Sequence, residues 1–218
     1  MPTGVALRDP RRQLFAAAER VLLRAGPNAL TSRAVTDEAG CAKGVLHRHF
    51  ADFDDFLAAL VLDRVARLDG QAASLRAAAD TGRGTVVGNL ADALTELFES
   101  VAVAVVGLVV SRDGLRARLR RTRPTGVPLL TDAADMLAAY LTAERDRGRL
   151  APETDVPVLA PTLVGAAHLL FADRDAAPPA PGEVRKVIAA VLSPAVLPPH
   201  ELPPHDFEDP SAADGSPV

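Results

Sequence analysis

The stretch that decides the fold reads LTSRAVTDEAGCAKGVLHRHF and covers residues 30–50. It contains two short helical patterns, 32–39 and 43–49, on either side of one glycine. Thr31 is placed to cap the first helix, and Gly40 lies where a helix ends with a left-handed residue. Two short helices joined by a three- to four-residue turn that contains glycine form a helix-turn-helix unit.

The second of these helices is too polar and basic on one side to be buried. Lys43, His47, Arg48 and His49 fall within seven positions. A short basic helix behind a glycine turn suits the DNA major groove, which is wide enough to admit an α-helix. The alternative is a solvated helix face without a ligand. We favour DNA contact because the motif exposes this helix.

Residue by residue, the stretch resembles the DNA-binding region of the TetR (tetracycline repressor) family of bacterial regulators. The matching positions are Leu30, Thr31, Arg33, Val35, Ala39, Gly40, Gly44, Leu46, His49 and Phe50. The resemblance extends back to an amphipathic helix from Arg11 and forward to a helix from Asp54. The chain departs from the family pattern at Ala42, His47 and Phe53, where serine, tyrosine and lysine are usual. These departures remove groups that cap the helix or contact phosphate.

Eight residues are predicted to contact DNA: Thr31, Ser32, Arg33, Lys43, Gly44, Val45, His47 and His49. The arginine and the lysine would reach phosphates or a guanine edge, and the histidines would contact phosphates. The glycine would allow close backbone approach, and the valine would touch a thymine methyl group. The two hydroxyl residues lie at a helix start, which is a natural anion site.

The charge distribution supports a nucleic-acid-binding module joined to an acidic body. The net charge of the 218 residues is −4, yet residues 1–50 carry eight Arg and Lys against four Asp and Glu. A small basic segment on an acidic chain is typical of a DNA-binding domain fused to another domain, although chance variation gives the same pattern. Because aromatic residues are only 4% of the chain, we expect a core of Ala, Val and Leu.

Cysteine usage and hydropathy indicate a cytoplasmic protein. Cys41 is the only cysteine, so an intrachain disulfide and a cysteine metal cluster are excluded, and a reducing cytosol is favoured. We expect Cys41 to fill a small core site rather than act as a redox switch. The longest apolar run, 101–110, is too short to span a bilayer and indicates a buried helix, although its valines also suit a strand. No signal peptide, membrane segment, metal or cofactor is expected.

We predict an all-α chain in three parts. Residues 1–52 form a three-helix DNA-binding domain with the helix-turn-helix, and 53–192 form a larger helical domain for effector binding and dimerisation. The Pro-rich tail, 193–218, is predicted to be disordered.

Caps and breakers predict where the helices lie. Asp9 and Pro10 begin the first helix, and Asp52 caps the fourth. Glycines break the chain after residue 80. A basic surface stretch covers 113–123. Long apolar patterns predict a helix at 129–147, a second helix from Asp155 and a third at 183–192. In the second helix, Pro161 implies a late start or a kink.

The resemblance implies that the larger domain binds a small molecule in a helix-lined pocket and dimerises through its last two helices. Residues that combine size with some polarity are the predicted pocket lining: Phe98, Met136, Tyr140, His168 and Phe171. Ordinary core packing is the open alternative for each of them. Small and apolar side chains near the end of the chain are the predicted dimer contacts: Leu163, Ala166, Ala167, Val184, Val187, Ile188 and Val191.

These patterns together predict a ligand-responsive transcriptional regulator. We expect a repressor that binds a palindromic operator as a homodimer and is released by a small, mainly hydrophobic effector. An enzyme is disfavoured because the chain has no HExxH, GxSxG, P-loop or dinucleotide motif. The other alternative is a helical dimeric interaction module without DNA binding, which Ala42, His47 and Phe53 favour. A regulator should bind DNA with steep salt dependence, and an interaction module should not.

Overall fold

The computed structural model describes residues 9–173 and 177–195. Within these residues all regular structure is helical, which confirms the all-α prediction. The helices are α1 (Pro10–Ala25), α2 (Ser32–Glu38), α3 (Gly44–His49), α4 (Phe53–Thr81), α5 (Val86–Phe98), α6 (Ala102–Ser111), α7 (Asp113–Leu119), α8 (Leu130–Asp146), α9 (Val156–Phe171) and α10 (Pro181–Leu192), with a short 3-10 helix at Pro27–Ala29. Most of the predicted tail, 196–218, lies outside the described residues.

The helices begin and end where the sequence places capping residues. The Asp9 carboxylate accepts from the Arg12 amide at the start of α1, and Thr31 Oγ1 accepts from the Ala34 amide at the start of α2. Asp52 caps α4 in the same way, through the Asp55 amide at 2.7 Å. These side chains satisfy amide groups that have no partner inside the helix, so they fix the helix starts.

Two stretches differ from the sequence prediction. The basic stretch at 113–123 is a surface segment only in part, because α7 occupies 113–119 and buries Leu115 and Leu119. Helix α9 begins at Val156, so the late start predicted from Pro161 is wrong. Since α9 packs against α5, α8 and α10 through its other faces, these tertiary contacts outweigh the poor helix propensity of Pro161.

Helix α4 connects the two parts of the molecule. It is 29 residues long and packs against α5, α7 and α8, while α9 packs between α8 and α10. Near its start, the rings of Phe53 and Phe56 join those of Phe15 from α1 and Phe50 from the end of α3, with centroid distances of 5.1–5.9 Å. These four rings pack the helix-turn-helix onto the rest of the chain.

Arginines from α6–α7 also join the two parts. Arg118 donates to Asp52 at 2.6 Å and to Asp55 at 3.0 Å, so it bridges the capped start of α4. Arg112 donates to the Leu30 carbonyl at 2.9 Å, directly before the helix-turn-helix. The segment α6–α7 is therefore a direct contact between the helical body and the N-terminal helices.

A polar cluster is buried between α8 and the turn after α4. Glu144 is fully buried and accepts from both Arg149 Nε and Nη2, at 2.5 and 2.6 Å. Arg149 also donates to the Gly84 carbonyl at 3.0 Å. Asn89 donates to the Tyr140 hydroxyl at 2.8 Å, and burial raises the pKa of that phenol far above its usual value. The cluster ties the α4–α5 turn to α8.

Among the described residues, no single helix is long and apolar enough to cross a membrane. Only α5 and α6 together reach that length and composition, and they are bent by 60° relative to each other.

Candidate nucleic-acid interface and effector cavities

The helix-turn-helix forms by a tight turn that the sequence predicts. Gly40 has φ of +65°, a left-handed conformation that glycine adopts without steric cost. The Cys41 amide then donates to the Thr36 carbonyl at 3.0 Å, which closes the turn after α2. Val35 and Leu46 are fully buried and anchor α2 and α3 to the core. The opposite face of α3 is left outside.

The predicted DNA contacts lie on this outer face. The exposed residues are Thr31, Arg33, Lys43, Gly44, His47 and His49, and the half-buried ones are Ser32 and Val45. The Arg33 guanidinium pairs with Asp37 at 3.4 Å, but both side chains are more than 60% exposed, so the pair is weak and easily exchanged. No ion pair within the described residues involves Lys43. These side chains are available to an external anion.

Arg48 and Arg11 extend the basic surface. Arg48 is exposed on α3 between the two histidines. Arg11 Nη1 donates to the His49 carbonyl at 3.3 Å, and its guanidinium lies 4.5 Å from the centroid of the Phe50 ring. A cation at the C-terminal end of α3 is favourable because the last carbonyl groups carry partial negative charge. Arg11 is not among the contacts predicted from the sequence, where its only signal is an arginine near the start of α1.

Two arginines of α1 hold α2 in place. Arg20 and Arg24 donate to the Glu38 carboxylate at 2.7 and 2.9 Å. The hydrogen bonds from Arg20 and Arg24 hold the pKa of Glu38 below its usual value. These contacts join α1 to α2 at the surface of the chain.

Cys41 packs against the apolar core beside α2 and is half-buried. Burial raises the pKa of its thiol, so little thiolate forms at neutral pH. This environment fits the packing role expected from the sequence.

Three of the predicted pocket residues lie together. The Phe98 ring is 5.5 Å from that of His168 and 5.9 Å from that of Phe171. Phe98 and Phe171 line a cavity of about 450 Å³, which also contacts Leu23 of α1 and Val103 of α6. Apolar and polar groups line this cavity in similar measure, because Glu99, Ser100 and Asp173 also face it, and Leu23 places it beside α1.

His168 packs beside this cavity. Its Nε2 atom is buried, and none of the described residues offers it a hydrogen bond. Burial lowers the pKa of His168, so the ring is neutral at pH 7.

Met136 and Tyr140, the other two predicted pocket residues, both lie on α8. Both are buried, and neither is among the residues that line the cavity at Phe98 and Phe171. Tyr140 belongs to the polar cluster with Asn89 and Glu144. Both residues are buried because α8 packs between α4 and α9.

A second cavity, of about 260 Å³, lies beside α4. It is lined by Arg64, Arg67, Leu68, Gln71, Glu96, Leu97, Ser100, Ala102 and Leu129. None of the pocket residues predicted from the sequence lines this second cavity. The available signal was an arginine, Arg64, within the apolar face of α4, where a charged side chain needs partners.

The predicted dimer contacts divide into two groups. Leu163, Ala167, Val184 and Ile188 are buried in the core of the single chain, so their side chains are not available to a second copy. Ala166, Val187 and Val191 are half-buried. The apolar face of these helices turns inward because α9 and α10 pack on each other and on α5.

A different face of α9 is open. It carries Val158, which is 61% exposed, and Leu169, which is 75% exposed. Between them lie Pro161, Thr162 and Gly165, all exposed and spaced at helical intervals.

Comparisons with known proteins agree with this architecture. Residues 14–60 match the family model described as bacterial regulatory proteins, tetR family. A search of curated proteins found no match.

Solved structures share the fold at low sequence identity. The reduced form of NemR from Escherichia coli is similar over 87% of this chain and 99% of its own, with a TM-score of 0.67 and 15% identity. The fatty acid degradation regulator FadR from Bacillus halodurans is similar over 86% and 96%, with a TM-score of 0.64 and 17% identity. A TetR-family member from Streptomyces coelicolor A3 is similar over 84% and 98%, with a TM-score of 0.59 and 23% identity. The chain therefore carries a TetR-family helix-turn-helix region within the fold of TetR-family transcriptional regulators.

Proposed function

We propose that this chain is a cytoplasmic transcriptional repressor that binds a palindromic operator as a homodimer and releases it when a small molecule binds. In this proposal residues 1–52 bind DNA, and 53–192 bind the effector and the second copy. The observation that carries it is the exposed basic face of α3, which the buried Val35 and Leu46 hold behind the Gly40 turn. A helix presented in this way fits the major groove.

The predicted contacts fall into two classes. Arg33, His47, His49 and Arg48 offer positive or hydrogen-bonding groups to phosphates, which would set position and affinity. Lys43 lies at the tip of α3, where a side chain reaches a guanine edge most directly. Val45 is half-buried beside it and offers a methyl surface to thymine.

A dimer is required because one short helix makes few base contacts. Two half-sites about 34 Å apart multiply a weak contact into a specific one. We propose that the open face of α9, from Val158 to Leu169, forms the centre of the interface, with Val187 and Val191 at its side. This proposal replaces the four buried residues of the original prediction.

The effector site of this proposal is the cavity beside Phe98 and Phe171. Phe98, Phe171 and Val103 offer apolar surface to a mainly hydrophobic molecule, Glu99 and Ser100 offer polar groups, and the contact with Leu23 places a ligand next to α1. A ligand releases DNA only if it binds the DNA-free conformation more tightly than the DNA-bound one.

Binding to DNA from immediately upstream of the gene for this chain tests the function. The wild-type chain should bind specifically, with an affinity that falls steeply as salt rises. Lys43→Ala should weaken binding by about tenfold or more, from the loss of a contact to a guanine edge. Lys186→Ala is the matched control, because Lys186 is the only other lysine and is exposed on α10.

If no specific complex forms there, selection of bound fragments from the whole genome extends the test to distant operators. Failure of both experiments would favour the interaction module. The structure gives that alternative one observation: α3 begins without a side-chain cap, as expected from Ala42.

A further inference from the structure

The second cavity has polar groups at both ends of an apolar surface. Arg64, Leu68 and Gln71 follow each other at i, i+4 and i+7, so they share one face of α4 over two turns. Leu97 and Leu129 close the apolar part of the cavity. A ligand here would lie along α4, with Leu68 under its middle.

Two buried polar atoms at this site have no protein partner. Among the described residues, none accepts the Nε–H of Arg64, and none donates to Oε1 of Gln71. Arg64 is only 8% exposed. Buried polar groups are almost always hydrogen-bonded, so a donor and an acceptor left open on one cavity indicate groups that a ligand would satisfy.

The charges around the cavity favour an uncharged ligand. Arg64 pairs with Glu19 of α1 and, at 2.6 Å, with Asp63, while Arg67 lies 3.5 Å from Asp63. Glu96 also lines the cavity. The two cations are thus matched by carboxylates, and a carboxylate ligand would gain no net positive field.

We propose that this cavity binds an uncharged small molecule with a flat apolar body, a hydrogen-bond acceptor at one end and a donor at the other. The acceptor receives the Arg64 Nε–H, the donor is directed at Gln71 Oε1, and the ring packs on Leu68. Arg64 and Gln71 are seven residues apart, so about 10 Å of helix separates them. Because both side chains reach inward, the gap between their polar atoms is shorter and matches two groups at opposite ends of one ring.

Arg64 connects this cavity to the DNA-binding helices. Its ion pair with Glu19 crosses from α4 to α1, and the next residue of α1, Arg20, holds Glu38 of α2 at 2.7 Å. A ligand that draws the Arg64 guanidinium toward the cavity changes the contact that positions α1. This regulatory role rests on the proposed function, whereas binding in the cavity does not.

Three related compounds test the ligand class in the full-length protein. 4-Hydroxyacetophenone has a carbonyl acceptor and a phenolic donor at opposite ends, acetophenone lacks the donor, and 4-hydroxybenzoate adds a negative charge. Calorimetry and the NMR signal of the Arg64 Nε–H report binding. We expect 4-hydroxyacetophenone to bind about tenfold more tightly than either analogue, the effect of one unsatisfied buried group.

Two conservative variants test the residues. Arg64→Lys keeps the positive charge for Glu19 and Asp63 but has no Nε–H, and Gln71→Met keeps the size but has no acceptor. Each should weaken 4-hydroxyacetophenone binding by about tenfold. Arg76→Lys, at an exposed position of α4, and Gln13→Met, at an exposed position of α1, should not change it. Circular dichroism checks that each variant is folded.

Three results would each overturn the site. The first is an equal affinity of all four variants for 4-hydroxyacetophenone, and the second is tighter binding of 4-hydroxybenzoate. The third is no binding of 4-hydroxyacetophenone at millimolar concentration. For the regulatory part, operator DNA must change the affinity for 4-hydroxyacetophenone by the same factor as the compound changes the affinity for DNA. If the compound binds without this reciprocal effect, only the regulatory link through Glu19 is overturned. A chain that binds the compound and no DNA overturns the proposed function and leaves the cavity assignment supported.

Discussion

The helix-turn-helix region and the helical body use their charged side chains in opposite ways. Around α2 and α3, arginines and histidines are exposed, and the pairs of Arg20 and Arg24 with Glu38 lie at the surface. In the body, Glu144 is fully buried beneath Arg149. Exposed pairs contribute little to stability, whereas breaking a buried pair is costly. The first region therefore keeps its charges available for an external partner, and the second uses its charges to hold helices together.

Removing the buried carboxylate should give the largest loss of stability. Glu144→Gln leaves Arg149 without its anionic partner, and we expect the free energy of unfolding to fall by about 2–3 kcal/mol. Urea unfolding followed by circular dichroism measures it. Glu153→Gln, at an exposed position, should change stability by less than about 0.5 kcal/mol. Equal effects at the two sites would remove the contrast between the regions.

The turn of the helix-turn-helix should be sensitive to backbone conformation rather than to charge. Gly40→Ala meets no neighbouring atom but must adopt φ of +65°, so we expect a loss of about 1 kcal/mol. Gly70→Ala is the matched control with the opposite sign. It lies inside α4 with open space around it and should gain about 0.5–1 kcal/mol. A neutral Gly40→Ala would show that the turn tolerates other conformations.

Breaking the ion pairs of Arg118 at the junction between the regions should cause an intermediate loss of stability. Arg118 bridges Asp52 and Asp55 and is about a quarter exposed, so Arg118→Gln should cost about 0.5–1 kcal/mol. Arg120→Gln, at an exposed position of the same segment, should be neutral. Thermal unfolding at low and high salt measures both. An Arg118 effect that does not shrink with salt would contradict an electrostatic role.

The smallest expected effect is a pH dependence of the free energy of unfolding that comes from His168 in the helical body. Burial lowers the pKa of His168, so below the unfolded value of 6.5 the unfolded chain binds a proton before the folded chain does. The contribution of His168 to stability is therefore complete above pH 6.5 and decreases as the pH falls toward the lower folded pKa. Comparing the free energy of unfolding at pH 7.5 and 5.5 should show a smaller decrease in His168→Leu than in the wild type. Equal decreases would indicate that another group is responsible.

The contrast between the regions also explains which features could be predicted from the sequence. The caps at Asp9, Thr31 and Asp52 and the turn at Gly40 are local signals, and the structure confirms each of them. Local chemistry determines these features, because the interacting groups are three or four residues apart.

Features of the body depend on which helices meet, and a single helical pattern does not contain that information. Ile188 looked like a dimer contact, yet its apolar face packs inside the chain. Tyr140 is held in a buried polar cluster by Asn89, a partner that lies 51 positions away in the sequence. Arg64 is a charge within the apolar face of α4, and only the assembled structure shows its partner on α1.

Helix α4 also sets a scale for movement. Its 29 residues give a rod about 43 Å long, so a tilt of about 5° around one end displaces the other end by about 4 Å. That displacement approaches the 5.4 Å pitch of an α-helix, and two copies would double it across a symmetric pair. In the proposed homodimer, the two α3 helices must match half-sites about 34 Å apart, so a rotation of a few degrees would be enough to lose the match.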